Sequence, residues 1–212
     1  MQTSELRGSS RQLSGNPMGN RRFVVVGRPG EGKSFWIKNY LIPQYDYVLV
    51  VDPLHEYRQT NQCDVWQVEN RSAPQAEVEK VIDDFLLKPY EMKKQGRNVK
   101  LYEIVVFEEA SRYAPSRTPL PPKMATLNDV ARHMDLDLAF CARRFSQLHT
   151  DLTELASTTV IYNQTGVNDL QRCDELISGL SEEVKRLPKY HYIQVERGEY
   201  RVMPPVADKG FK

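Results

Sequence analysis

Cysteine is scarce: Cys63, Cys141 and Cys173 are the only three in 212 residues. They are odd in number, far apart and form no C-x-x-C pair, which excludes a disulfide framework and a cysteine zinc site. Histidine is as sparse, and His55, His133, His149 and His191 have no zinc-ligand spacing. Net charge is nearly absent, at +1 from 29 basic and 28 acidic residues. Nothing therefore draws the whole chain to nucleic acid, and any DNA contact must come from local clusters. No apolar run approaches the length of a membrane span, and the start of the chain lacks the apolar core of a signal peptide. The expectation is a soluble, non-secreted protein, cytosolic or bound to a particle. No internal repeat or low-complexity tract is visible. What is there, 40% hydrophobic and 27% charged residues, suits one α/β domain.

The most informative stretch begins at Phe23. Phe23-Val24-Val25-Val26 reads as a buried strand running into Gly27-Arg28-Pro29-Gly30-Glu31-Gly32-Lys33-Ser34, which fits G-x-x-x-x-G-K-S, the Walker A phosphate-binding loop. Glycines at 27, 30 and 32 let backbone wrap a phosphate chain without Cβ clashes. Unpaired amides at the start of the next helix point at the anion. Lys33 would reach the β- and γ-phosphates of ATP, and the Ser34 hydroxyl would be a ligand of Mg²⁺. Phe35 opens a helix pattern that stops at Pro43, and it completes the candidate nucleotide-binding segment.

Residues 1–20 are rich in Ser, Gly, Asn, Gln and Arg without apolar periodicity, so a flexible arm is expected there, either solvated or contacting DNA or a partner. Strands are expected over 45–51, 101–107, 136–142 and 158–163, and a short one near Val65–Val68. Helical stripes are expected over 75–86, ending near Pro89, and at 124–134, 146–155 and 170–177. Ser181 reads as the N-cap of a further helix. The chain closes with a hairpin turning at Arg197-Gly198, then a loose tail over 206–212. One ATPase domain over 21–205 follows, with a mostly parallel sheet and helices on both faces. Lys93, Lys94, Arg97 and Lys100 form a basic cluster, either a solvated turn or the lining of a DNA path.

Ile104-Val105-Val106-Phe107 delivers Glu108 and Glu109 at a strand's carboxyl end, a Walker B pattern. Side chains alternate along a strand, so the two acids take different roles. Glu108 would hold Mg²⁺, directly or through water, and Glu109 would orient and deprotonate the water attacking the γ-phosphate. A water-activating base suits a hydrolase. A small-molecule kinase, the reading from another class, must exclude water instead.

Four motifs together resemble the FtsK–HerA superfamily of ring-forming DNA-pumping ATPases. Beside the P-loop, Asp52-Pro53-Leu54-His55-Glu56-Tyr57 is similar to the D-P-x-x-E-Y of HerA-type members. Glu108-Glu109-Ala110-Ser111-Arg112-Tyr113-Ala114-Pro115 is similar to their D-E-A-H-x-Y-x-P. Phe140-Cys141-Ala142-Arg143-Arg144 falls where they carry a strand ending in a polar sensor. A bare motor of this size is most similar to the genome-packaging ATPases of tailless viruses with an internal membrane. The resemblance implies a RecA-like ASCE sheet of order 5-1-4-3-2, with Arg143 and Arg144 over the nucleotide. Arg143 stands in the place of the sensor glutamine and would stabilise transition-state charge. It also implies a homo-hexameric ring on double-stranded DNA, with an arginine acting in trans; Arg112, Arg117, Arg144 and Arg172 are the candidates. Capsid or internal-membrane vertex proteins would be partners, at the virion packaging vertex or in host cytoplasm. Plasmid-mobilisation and phage-assembly motors, a nucleotide kinase and a non-hydrolysing ATP switch are the alternative readings.

Overall fold

Short runs of β-branched residues alternate along the sequence with helical stripes, and the computed structural model shows what they build. It describes residues 21–210, so the expected flexible arm over 1–20 and the last two residues lie outside the described residues. The strands are β1 (Arg22–Val26), β2 (Val48–Asp52), β3 (Cys63–Gln67), β4 (Ile104–Phe107), β5 (Asp137–Ala142), β6 (Thr158–Ile161), β7 (Tyr192–Glu196) and β8 (Glu199–Met203). They form one sheet in the order β3-β2-β4-β5-β1-β6-β7-β8. The five expected core strands lie as 5-1-4-3-2, extended by parallel β3 at one edge and the antiparallel β7–β8 hairpin at the other. The hairpin turns at Arg197 (φ 52°) and Gly198 (φ 78°), two left-handed residues whose twist matches that of the strands.

The central strands are buried throughout, so each feeds two cores. Val24, Val26, Leu49, Val51, Val105, Phe107 and Phe140 face one side. There they meet α2 (Gln75–Val81), α4 (Pro122–Val130), α6 (Val167–Leu176) and α7 (Leu180–Arg186). Phe23, Val25, Val50, Val106, Cys141 and Val160 face the other side, against Trp36, Ile37 and Leu41. These last belong to α1 (Lys33–Trp36) and the π turn Ile37–Leu41 that continues it. Period-two alternation thus places neighbours in sequence on opposite faces. Among the described residues no helix is long and apolar enough to cross a membrane.

Several boundaries differ from expectation. The helix expected to end near Pro89 continues as α3 (Lys88–Lys94) after a π turn over Ile82–Leu87. The wider turn opens the hydrogen-bond ladder where Pro89 has no N–H to give. Residues 146–155 do not form one helix. Leu148 bridges Pro115 and the His149 N–H donates to Ala114 O, which leaves a 3₁₀ turn at Phe145–Gln147 and short α5 (Thr150–Thr153). Ser181 is not an N-cap: α7 starts one residue earlier, after left-handed Gly179, and Asp174 Oδ1 accepts the Ser181 N–H at 2.9 Å. In the tail, Val206 packs on the second core and the Lys209 N–H donates to Asn39 Oδ1.

Candidate nucleotide site

The parallel strands end on one edge of the sheet, and β1, β2, β4 and β5 bring the candidate residues there. A cavity of about 320 Å³ opens at this edge. Pro29, Gly30, Gly32, Lys33, Ser34 and Phe35 line it from the P-loop side, and Glu108, Glu109 and Arg143 from the β4 and β5 ends. Gly27, Arg28 and Glu31 are not among its lining residues. The three glycines serve different ends. Gly30 (φ 78°) and Gly32 (φ 110°) are left-handed, where a side chain is strained. Gly27 is required by packing, since a Cβ there would stand 2.4 Å from Tyr162 Cβ. The helix begins directly after Gly32, which offers no side-chain cap for the first-turn amides. Lys33 is buried, and its ammonium donates to Arg28 O at 3.1 Å.

Glu108 and Glu109 do diverge. Glu108 is buried and accepts from the Tyr57 hydroxyl. Burial raises its pKa above the ordinary glutamate value, against the lowering effect of hydrogen bonds from Tyr57 and Cys141 and the charge of Lys33. The same burial and the nearby Glu108 push the Tyr57 phenol and the Cys141 thiol well up. The Tyr113 hydroxyl ties down Glu108 O at 2.9 Å. Glu109 stands in the left-handed region (φ 48°), and Arg143 Nε donates to its Oε1 at 2.7 Å. A strained backbone that turns an acid out of the strand path is a recurring feature of active sites.

The D-P-x-x-E-Y stretch supplies the third wall. Asp52 is fully buried, accepting from Leu54 N–H at 3.0 Å and Tyr57 N–H at 2.8 Å. That turn carries Glu56 to Ser34, whose hydroxyl donates to Glu56 Oε2 at 3.2 Å, and Tyr57 to Glu108. Leu54 and Glu56 line the cavity, and so does Tyr190, from the turn before β7. The motif flagged Glu56 without giving it a task, and no pattern in the sequence pointed to Tyr190.

The arginines separate. Arg143 lines the cavity, but Arg144, expected over the nucleotide, turns to buried Asp169 on α6 at 3.0 Å. That carboxylate also accepts the Ser146 N–H and hydroxyl, which fixes the direction of the chain after β5. Arg172 pairs with Glu175 at 2.9 Å. Arg112 and Arg117 are exposed and, among the described residues, take part in no ion pair. The basic cluster begins in the last turn of α3, with Lys93 and Lys94, and leads into the amino end of β4, across the sheet from the cavity. Within it Lys94 pairs with Glu91 at 3.2 Å, and Lys100 lies 4.0 Å over the Tyr47 ring. No group of three or more His, Cys, Asp or Glu side chains among the described residues is placed to hold a metal by itself.

A glycine-rich loop between a central strand and a helix, facing two acids at the carboxyl end of a neighbouring strand, is the architecture of the P-loop NTPase fold. Solved structures share it along most of this chain. The genome-packaging NTPase B204 of Sulfolobus turreted icosahedral virus 2, in complex with ATPγS, superposes with a TM-score of 0.69 at 21% identity, over 89% of this chain and 98% of that one. The DNA-packaging ATPase B204 of Sulfolobus turreted icosahedral virus gives 0.69 at 19% identity, over 90% and 100%. VirB4 of Thermoanaerobacter pseudethanolicus gives 0.66 at 10% identity, over 90% of each chain. At these identities the likeness is one of fold. No protein-family model matches the sequence, and no curated protein is detectably similar to it.

Proposed function

We propose that this chain is an ATP-hydrolysing DNA translocase of the FtsK–HerA type, which packages a double-stranded DNA genome into a preformed viral capsid. The observation that carries the reading is the convergence of Lys33, Ser34, Glu108, Glu109 and Arg143 on one cavity. The fold shared with two viral packaging ATPases supports the setting. Mg²⁺ suits the donors present, because it takes hard oxygen ligands and needs only one or two carboxylates when phosphates and waters complete its shell. Ser34 Oγ and Glu108 would hold it, with Glu56 orienting the hydroxyl. Bound there, it would neutralise charge on the β- and γ-phosphates.

In this reading Lys33 exchanges the Arg28 carbonyl for phosphate oxygens. Glu109 takes a proton from a water as the water oxygen bonds to the γ-phosphorus and the bond to ADP breaks. A γ-phosphate offers the Arg143 guanidinium a second anion, so it competes with Glu109 and releases the base as substrate arrives. A hexameric ring would bring an arginine from the neighbouring subunit, and Arg112 and Arg117 are the candidates without an ion-pair partner among the described residues. Glu109 favours hydrolysis over phosphoryl transfer to a small acceptor.

The test is ATP turnover by the parent, Lys33→Ala and Glu109→Gln, with and without double-stranded DNA. Glu109→Gln should keep ATPγS binding and lose roughly 10²- to 10⁴-fold in rate, whereas Lys33→Ala should lose binding itself. DNA of any sequence should stimulate the parent, with steep loss on adding salt, because phosphate contacts carry no base information. Turnover by Glu109→Gln at the parent rate would remove the assignment.

A further inference from the structure

The phosphate end of the cavity is accounted for by charged and hydroxyl groups, which leaves the aromatic end. Tyr190 is 46% exposed, whereas Tyr162 and Tyr192 on this side of the sheet are each 2% exposed. It sits in the left-handed region (φ 67°), a conformation that costs a residue with a side chain about 1–2 kcal/mol. The turn is held there by the His191 N–H donating to Pro188 O at 3.0 Å. The ring meets the P-loop itself, since a Cβ on Gly32 would stand 3.6 Å from Tyr190 Cδ1. Phe35, 41% exposed, lines the same cavity from the first turn of α1. The Lys189 ammonium lies 4.9 Å from the Tyr190 ring centroid, a cation on an electron-rich face. Among the described residues, neither buried hydrophobic cluster includes the Tyr190 ring.

We infer that Tyr190 is the base-stacking wall of this site, with Phe35 lining the same cavity. It selects phosphate chains that carry an aromatic base, and purines over pyrimidines by their larger face. The inference rests on the nucleotide-binding reading above and adds to it the residue that recognises the nucleoside. A flat base on the ring removes apolar surface from water, and the electrostatics of offset stacking favour it. The strain at residue 190 is consistent with a backbone set by what the ring must reach.

Calorimetric titration with Mg·ATP and with Mg·tripolyphosphate separates base from phosphate binding. Tyr190→Gly relaxes the strained turn, so loss of fold is not the expected outcome, and Tyr190→Phe keeps the ring. Tyr190→Gly should weaken ATP about ten- to a hundredfold, in keeping with loss of one base–aromatic stack, and leave tripolyphosphate affinity as in the parent. Tyr190→Phe should bind both ligands like the parent. Equal weakening of both ligands by Tyr190→Gly would show that the residue only supports the loop, which overturns the inference while the nucleotide reading stands. Unchanged ATP affinity would overturn it too. A parent that binds neither ligand would remove the nucleotide reading and this inference with it.

Discussion

Asp52 is where stability and chemistry meet, and replacing it by alanine separates its contributions. Its carboxylate is fully buried and accepts two backbone N–H groups, of Leu54 at 3.0 Å and Tyr57 at 2.8 Å. In Asp52→Ala the buried Tyr57 N–H loses its acceptor, at a cost of about 1–3 kcal/mol. The Leu54 N–H is only part-buried and can turn to water, so its loss adds about 1 kcal/mol. The sum is about 2–4 kcal/mol, and each kcal/mol lowers the melting temperature by about 2–4 °C in a domain of this size. The same turn carries Glu56 to Ser34 and Tyr57 to Glu108, so affinity for Mg·ATPγS should fall alongside stability. Asp52→Asn keeps one acceptor oxygen and should be intermediate. Urea denaturation gives the first quantity and calorimetric titration the second. An Asp52→Ala protein within 0.5 kcal/mol of the parent, with unchanged Mg·ATPγS affinity, would refute the idea that this carboxylate builds the third wall.

Two further expectations follow from the site. Burial lifts Glu108, so between its ordinary pKa of 4.5 and the higher folded value the native state holds a proton that the unfolded chain has released. Its contribution to stability is full below 4.5 and is lost as pH rises through the folded value. Glu108→Gln should remove that loss, and in EDTA its urea midpoint should decline less over this window than the parent's; parallel curves would contradict it. Gly27→Ala places a Cβ 2.4 Å from Tyr162 Cβ, where neighbouring strands cannot part freely, and should destabilise by about 1–3 kcal/mol. Tyr162→Ala, which keeps that Cβ, should not relieve the clash in a thermal melt.

The P-loop, the acid pair and the alternation of strands and helices were legible because each is a local pattern with a local cause. Glycines tolerate left-handed backbone, and β-branched runs make strands. Strand alternation predicts different courses for Glu108 and Glu109, but β4 stops at Phe107 and it is the left-handed backbone of Glu109 that parts them. With the family resemblance, these patterns also implied the order of the five core strands, which the sheet shows. Helix ends were less legible. Pro89 stops a helix by local rules, yet a π turn carries the helix past it. Ser181 has the chemistry of a cap, yet Asp174 from the preceding helix accepts its N–H.

Only the tertiary structure decided which charges meet. Arg143 and Arg144 are adjacent in sequence, but at the end of β5 one turns to Glu109 and the other to Asp169. Glu56 reaches Ser34 because Asp52 folds the chain between them, and Tyr190 reaches Gly32 from near the far end of the sequence. Such contacts depend on where the sheet places elements remote in sequence, and no periodicity or propensity records that. The sequence determined the P-loop end of the site through motifs confined to single loops. The third wall, the Arg143–Glu109 pair and the aromatic end required the sheet, because each joins side chains from different strand ends across its carboxyl edge.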